Sequence, residues 1–295
     1  MEWFDILKAI VYGIVEGITE WLPISSTGHL LLVEEILPFE TPTEGFFDMF
    51  DVVIQLGAIL AVVVLFFGQI WPFAFSQTSR QKQLQKQLQN PKTKQLAKIS
   101  WIKWDVVILW CKILVSCVPA AIIGVLFDDQ LEALFYNSIS IAIALIVFGI
   151  AFLVIEKAHH NKTASINSVA GLTYQMAIWI GVFQVIAAVF PGTSRSGATI
   201  LGALLLGVSR TVAAQYTFYL AIPVMFGASL LKVVKFGFDF QTNELIILAT
   251  GTIVAFVVSL FALKFLMNYV KTHDFKIFGW YRIALGLIVL LFFFL

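Results

Sequence analysis

The sequence predicts an all-α polytopic membrane protein in which six transmembrane helices and two re-entrant helical hairpins form an inverted repeat. Three observations carry this expectation. Of the 295 residues, 60% are hydrophobic and only 13% charged, where an ordinary soluble domain carries about a quarter charged residues, and the mean hydropathy is +0.92. Six apolar stretches are each long enough to cross about 30 Å of hydrocarbon as a helix. Two further regions are apolar but broken by Pro, Gly and Ser, and their second halves are too short to span.

The first broken region, residues 3–37, holds an apolar helix, the break Trp21-Leu22-Pro23 and a segment of about 12 residues. It reads as a re-entrant hairpin, because irregular backbone at membrane depth is tolerated only inside protein or along a cavity. Glu2 and Asp5 stand where a secretory leader would carry lysines, and no small-residue cleavage site follows, so the start is expected to be mature sequence. Spanning helices are expected next at residues 46–68, 104–127 and 139–157. The Gln/Lys-rich tract from Gln77 to Lys98 between the first two is low complexity and reads as a solvated loop. Residues 172–207 repeat the hairpin pattern, and residues 212–232, 245–267 and 277–294 supply the last three spans. Cys111 and Cys117 are six apart within one apolar run, about 9 Å along a helix axis and beyond bridging distance, so both are expected to pack rather than pair.

Loop charge sets the orientation. Residues 76–103 hold seven basic residues, from Arg80 to Lys103, and no acidic one, whereas residues 128–137 hold Asp128, Asp129 and Glu132 and no basic one. By the positive-inside rule the first loop is cytoplasmic, the second is external, and both termini fall outside. The halves also share a spacing: Gly13, Pro23 and Gln55 in one and Gly181, Pro191 and Pro223 in the other lie ten and then 32 residues apart. Each unit is one hairpin plus three spans, so the second enters from the opposite face, and a site is expected near the midplane where broken helices meet. The chain is therefore expected to be a single membrane domain over 1–295, with repeat 1 at 1–157, repeat 2 at 172–295 and a cytoplasmic low-complexity loop at 76–103.

Chemistry concentrates at the two breaks. Lys8, Tyr12, Glu16 and Glu20 recur every four residues and form one polar stripe on an apolar rod. Two carboxylates one turn apart repel, so keeping both in a membrane calls for a divalent cation, a shared proton or a nearby arginine; bonding to exposed backbone at the break is the plainer alternative. Ser25, Ser26, Thr27 and Gly28 open a short helix whose free N–H groups suit a phosphate, although Ser25 alone reads better as an N-cap. His29 can hold or deliver a proton near neutral pH. The second run, Pro191 to Thr199, offers two glycines for close backbone approach, the hydroxyls of Ser194, Ser196 and Thr199, and the planar fork of Arg195 for an anion. Gln55 is a weaker candidate for the same cavity and equally an interhelical contact.

EGITEWLPISSTGH and PGTSRSGAT, with VIQLGAILAVVV between them, resemble the signature segments of the bacterial undecaprenyl-diphosphate phosphatase family, also called the bacitracin-resistance family. The likeness covers essentially the whole chain in segment order and spacing. It implies a multi-pass enzyme of the bacterial plasma (inner) membrane that hydrolyses undecaprenyl diphosphate to undecaprenyl phosphate and inorganic phosphate, recycling the lipid carrier for cell-wall synthesis and conferring bacitracin resistance. It implies Glu16, Glu20, Ser26 and His29 of the first motif and Ser194, Arg195, Ser196 and Thr199 of the second at the active site. It also implies Mg²⁺ or Ca²⁺, for which carboxylates and phosphate oxygens are suitable hard ligands. The Gln/Lys loop departs from the family pattern, away from the motifs.

On this reading Arg195 and the two helix starts bind the diphosphate, with Ser25, Thr27, Gln55, Ser194, Ser196 and Thr199 as further ligands, in a cavity open to the external face. Glu16 and Glu20 hold a divalent cation or orient His29, which handles protons. Ser26 is the candidate nucleophile and water activated at His29 the alternative, since phosphoryl transfer asks mainly for positioning and charge neutralisation. A helix beginning at the hydroxyl run places Ser26 and His29 on one face, so His29 is expected to take the proton from Ser26 while Glu20 steadies the imidazole. A transporter or flippase of a lipid phosphate is the competing class, because broken helices around an anion site do not require hydrolysis; the carboxylates beside a histidine favour the enzyme. A prenyl diphosphate and membrane lipid are the expected partners, a homodimer is allowed, and the net charge of +1 argues against nucleic acid.

Overall fold

The computed structural model describes residues 3–39, 43, 45–74, 81, 85, 89, 101–159, 162–237 and 240–294. Most of the expected loop 76–103, including Arg80, Lys82, Lys86, Lys92, Lys94 and Lys98, lies outside the described residues, as do Glu40 and Glu44. The described residues include ten α-helices: α1 Trp3–Thr19, α2 Ser26–Ile36, α3 Phe46–Ile70, α4 Trp104–Phe135, α5 Ser138–His159, α6 Tyr174–Val189, α7 Arg195–Leu205, α8 Arg210–Phe236, α9 Thr242–Tyr269 and α10 Lys276–Phe294. Six of them, α3, α4, α5, α8, α9 and α10, are long and apolar enough to cross a membrane, and they coincide with the six expected spans. The protein is thus an all-helical, multi-pass membrane protein.

One boundary differs by a full two turns. Residues 128–137 are expected as an external loop, yet α4 runs on to Phe135, and only Tyr136 and Asn137 separate it from α5. Apolarity marks where a chain can sit in lipid, whereas backbone hydrogen bonding marks where a helix stops, and charged residues continue a helix readily once they reach water. Near this end Lys232 Nζ approaches Glu132 at 3.4 Å. Cys117 donates its thiol to Ile113 O at 3.1 Å and both cysteines are free.

In α1 the four-residue stripe faces inward: Lys8, Tyr12, Glu16 and Glu20 are all buried. The helix formally ends at Thr19, but Glu20 N–H still donates to Glu16 O at 3.0 Å, so the register reaches Glu20. Lys8 Nζ donates to Pro38 O at 2.6 Å and Tyr12 OH to Leu37 O at 3.3 Å, which brings the end of α2 back beside the first turns of α1.

Helix contacts in lipid gain little from hydrophobicity and depend on small residues that let backbones meet. α1 packs on α9 where a Cβ on Gly13 would stand 2.6 Å from Gly251 O, and α6 packs on α4 where a Cβ on Gly181 would stand 2.4 Å from Ser116 O. Hydroxyls reinforce both seams: Ser259 of α9 donates to Gly17 O at 3.3 Å and Ser116 of α4 to Ala177 O at 2.6 Å. α5 and α10 cross at Gly149 and Gly279, where an added Cβ on either would lie 2.8 Å from the other's carbonyl oxygen.

Candidate active site

Among the described residues only Ser25 (φ 75°) and Ser194 (φ 69°) are non-glycines with positive φ. Such backbone costs about 1–3 kcal/mol and persists only where surroundings enforce it. Each serine immediately precedes an 11-residue helix and caps it: Ser25 Oγ accepts Gly28 N–H at 3.4 Å, and Ser194 Oγ accepts Gly197 N–H at 3.2 Å. The strained turn lets α2 and α7 start abruptly at the hydroxyl runs. Ser25 therefore caps, as its sequence position alone suggests.

Glu20 joins the two motifs. Its Oε1 accepts Arg195 Nη2 at 2.8 Å, its Oε2 accepts the Ser26 hydroxyl at 3.0 Å, and its backbone carbonyl accepts Ser196 Oγ at 3.1 Å. Ser196 Oγ also lies 3.1 Å from Ser194 Oγ. Arg195 Nη1 donates to Thr217 O of α8 at 3.2 Å, while its buried Nε–H has no partner among the described residues. Thr199, fully buried, bonds Thr217 Oγ1 at 2.9 Å and donates back to Arg195 O at 2.9 Å, so it locks α7 to α8. Gln55 sits half-buried on α3, and no hydrogen bond among the described residues ties it to this cluster.

His29 is held differently from expectation. Its Nδ1 lies 2.7 Å from Ser25 O, and a carbonyl only accepts, so Nδ1 carries the proton; in the neutral ring Nε2 then accepts from Tyr281 OH at 2.7 Å. The two rings stack at 5.6 Å. Ser26 donates to Glu20 Oε2 rather than to His29, whose two ring nitrogens are already engaged by Ser25 O and Tyr281 OH. Glu20 does not steady the imidazole; α10 does.

α10 also supplies a residue that sequence reasoning missed. Arg282 is fully buried and donates from Nη1 to Pro23 O at 3.3 Å and from Nη2 to Gly192 O at 2.9 Å, tying both breaks to one side chain. An arginine in the middle of an expected span was the available signal. Tyr281 and Thr217 carried none, since either reads as an ordinary interfacial residue.

Glu16 is fully buried, and neither carboxylate oxygen has a partner among the described residues. Glu20, Asp51 and Arg195 are within electrostatic range of it. An orphaned carboxylate with a second carboxylate nearby fits a divalent cation that completes its shell with water and substrate phosphate oxygens, although among the described residues no three His, Cys, Asp or Glu side chains form a metal cluster on their own. A cleft of about 510 Å³ adjoins the motifs, reaching Thr27 on one side and Pro191 on the other. Glu34, Asp48, Asp51 and Glu132 line it, the last paired with Lys232 at 3.4 Å.

The sequence model of the bacitracin resistance protein family, BacA, matches residues 9–288. Undecaprenyl-diphosphatase 1 of Clostridium acetobutylicum is 56% identical to the chain over 293 residues, 99% of each protein. The undecaprenyl-diphosphatase of Desulfitobacterium hafniense is 55% identical over 98% of this chain and 96% of its own, and one from Enterococcus faecalis 53% identical over 99% and 98%. With matches of this identity and coverage, the chain belongs to the bacitracin resistance protein (BacA) family.

Proposed function

We propose that the two breaks form one hydrolytic site, at which the protein cleaves undecaprenyl diphosphate to undecaprenyl phosphate and inorganic phosphate and so recycles the cell-wall lipid carrier. The observation that carries this is Glu20, which holds Ser26 through one carboxylate oxygen and Arg195 through the other. That arrangement joins a nucleophile, its base and an anion receptor, whereas a carrier needs only the last.

Arg195 turns its free Nε edge to the terminal phosphate, helped by the N–H groups that open α2 and α7 and by the hydroxyls of Thr27 and Ser194, while Ser196, which donates to Glu20 O, positions Ser194. Ser26 Oγ attacks the terminal phosphorus as its proton passes to Glu20 Oε2; the bond to the bridging oxygen breaks and undecaprenyl phosphate leaves. Water then cleaves the Ser26 phosphate ester and passes its proton to the Tyr281 oxygen as the Tyr281 hydroxyl proton moves to His29 Nε2. Glu16, with Glu20, would hold a Mg²⁺ or Ca²⁺ ion, which when bound neutralises phosphoryl oxygens.

In the same proposal the α1–α2 and α6–α7 hairpins are re-entrant. The 11-residue α2 and α7 rise about 17 Å, well short of about 30 Å of hydrocarbon. The matching caps, seams and strained serines of 1–157 and 172–295 support an inverted repeat. With 76–103 cytoplasmic by its charge, the cleft beside Thr27 and Pro191 opens on the external face of the plasma membrane, where the prenyl diphosphate headgroup would enter. The test is phosphate release from a prenyl diphosphate by purified protein, with and without chelator. A stoichiometric yield of phosphate and prenyl phosphate supports hydrolysis; transfer of intact lipid between leaflets without phosphate release supports transport and defeats the proposal.

A further inference from the structure

A second polar cavity, of about 500 Å³, lies at the far end of α7 from Arg195, about 15 Å along that helix axis. His159, Lys162, Arg210 and Lys271 line it together with the hydroxyl-bearing Thr163, Ser209 and Thr211, and no acidic residue does among the described residues. Glu156, behind it, takes Arg210 Nε and Nη2, which leaves Nη1 without a hydrogen bond among the described residues. The other nearby acid, Asp274, pairs with Lys276 at 2.9 Å. α8 begins here, and its N-cap Ser209 makes no side-chain cap bond, so the first-turn N–H groups of Arg210 and Thr211 remain available. Near the end of α7 the carbonyls of Gly202, Ala203 and Leu204 are already taken by N–H groups of Leu206, Gly207 and Val208. Beside these donors stands an apolar wall of Leu204, Leu205 and Val270, of which Leu205 is 47% exposed.

We propose that this cavity binds a phosphate group, and that the apolar wall makes its natural ligand the phosphate headgroup of a membrane lipid rather than free phosphate. Convergent cations and an uncapped helix start select a phosphate anion, and an exposed leucine beside them suits an acyl or prenyl chain. The site is independent of the hydrolytic chemistry at the breaks, and its place on the inner leaflet follows from the loop charges.

Three proteins test it: the parent, Lys162→Gln/Lys271→Gln, and the control Lys157→Gln/Lys264→Gln, which removes two other lysines. In the first arm each is placed in nanodiscs of phosphatidylcholine with a minority of phosphatidic acid, and retained lipid is read by native mass spectrometry. In the second arm the melting temperature in detergent is compared in inorganic phosphate and in chloride at equal ionic strength. Phosphatidic acid should bind the pocket variant about 25-fold more weakly than the parent, at about fivefold per lysine, while the control stays within about twofold and all three hydrolyse prenyl diphosphate alike. A phosphate-dependent stabilisation lost only in the pocket variant, without preferential lipid retention, keeps the site and assigns it to free phosphate. Equal binding by parent and pocket variant in both arms, or equal loss in the control, overturns the proposal.

Discussion

Arg195→Lys keeps the positive charge and removes the fork. In the structure the guanidinium serves three directions: Nη2 to Glu20 Oε1 at 2.8 Å, Nη1 to Thr217 O at 3.2 Å, and a buried Nε–H left over for substrate. An ammonium on a differently shaped stem satisfies the carboxylate and abandons the other two. Losing the bond to Thr217 removes a charge-assisted contact of about 1.5–3 kcal/mol, which falls on folded-state stability. Losing the Nε donor falls on the transition state, where one preorganised donor is worth about 2.7–4 kcal/mol, a factor of about 100–1,000 in rate. Initial rates of phosphate release from a prenyl diphosphate, over a range of substrate concentrations and beside a melting curve in detergent, separate the two. kcat should fall by about two to three orders of magnitude with a smaller change in KM, because the donor acts on charge that develops during transfer. A kcat/KM within about threefold of the parent, with the melting temperature unchanged, would refute the role given to Arg195.

Tyr281→Phe removes the hydroxyl 2.7 Å from His29 Nε2 and keeps the stacked ring; kcat should drop about tenfold, and an unchanged kcat would show that α10 does not orient the imidazole. Glu16→Gln should raise the divalent-cation concentration needed for half-maximal activity, whereas an unaltered titration would confine Glu16 to proton handling. Gly57→Val places a side chain where Thr252 O would be 2.0 Å from Cβ, so overpacking of about 1–3 kcal/mol or more should lower the melting temperature by several degrees; no shift would mean that α3 and α9 can move apart freely. Single cysteines at Gln85 and Asn137, in a background lacking Cys111 and Cys117, should react with an impermeant reagent from opposite faces. Reaction of both from outside would overturn the topology.

The spans were legible because a helix in hydrocarbon must be long and apolar, and that requirement is written residue by residue, as in the Val62-Val63-Val64 run of α3 and the unbroken apolar stretch of α5. The break residues were legible for the complementary reason: Glu16, Glu20 and Arg195 in apolar surroundings demand partners. Their pairing was not. The stripe of α1 gives the face on which Glu20 lies, but spacing shows neither that Ser26 turns to Glu20 and His29 to Tyr281 nor that Ser25 takes a left-handed turn. Backbone strain at a serine leaves no trace in periodicity. Nor does sequence spacing reveal that α10 returns to hold both breaks through Arg282, 259 residues beyond Pro23.

The central claim is that Ser26, Glu20 and Arg195 act together as one phosphoryl-transfer site, and trapping the transferred group tests it most directly. The purified protein is mixed with undecaprenyl diphosphate labelled in the terminal phosphate, quenched in acid within a single turnover, and digested to locate bound label; Ser26→Ala is run beside it. Acid-stable phosphate is predicted on the peptide that carries Ser26, together with a Ser26→Ala protein that binds the lipid diphosphate but neither takes up label nor turns over. Turnover by Ser26→Ala at a substantial fraction of the parent rate would contradict the claim and pass the chemistry to His29 and water.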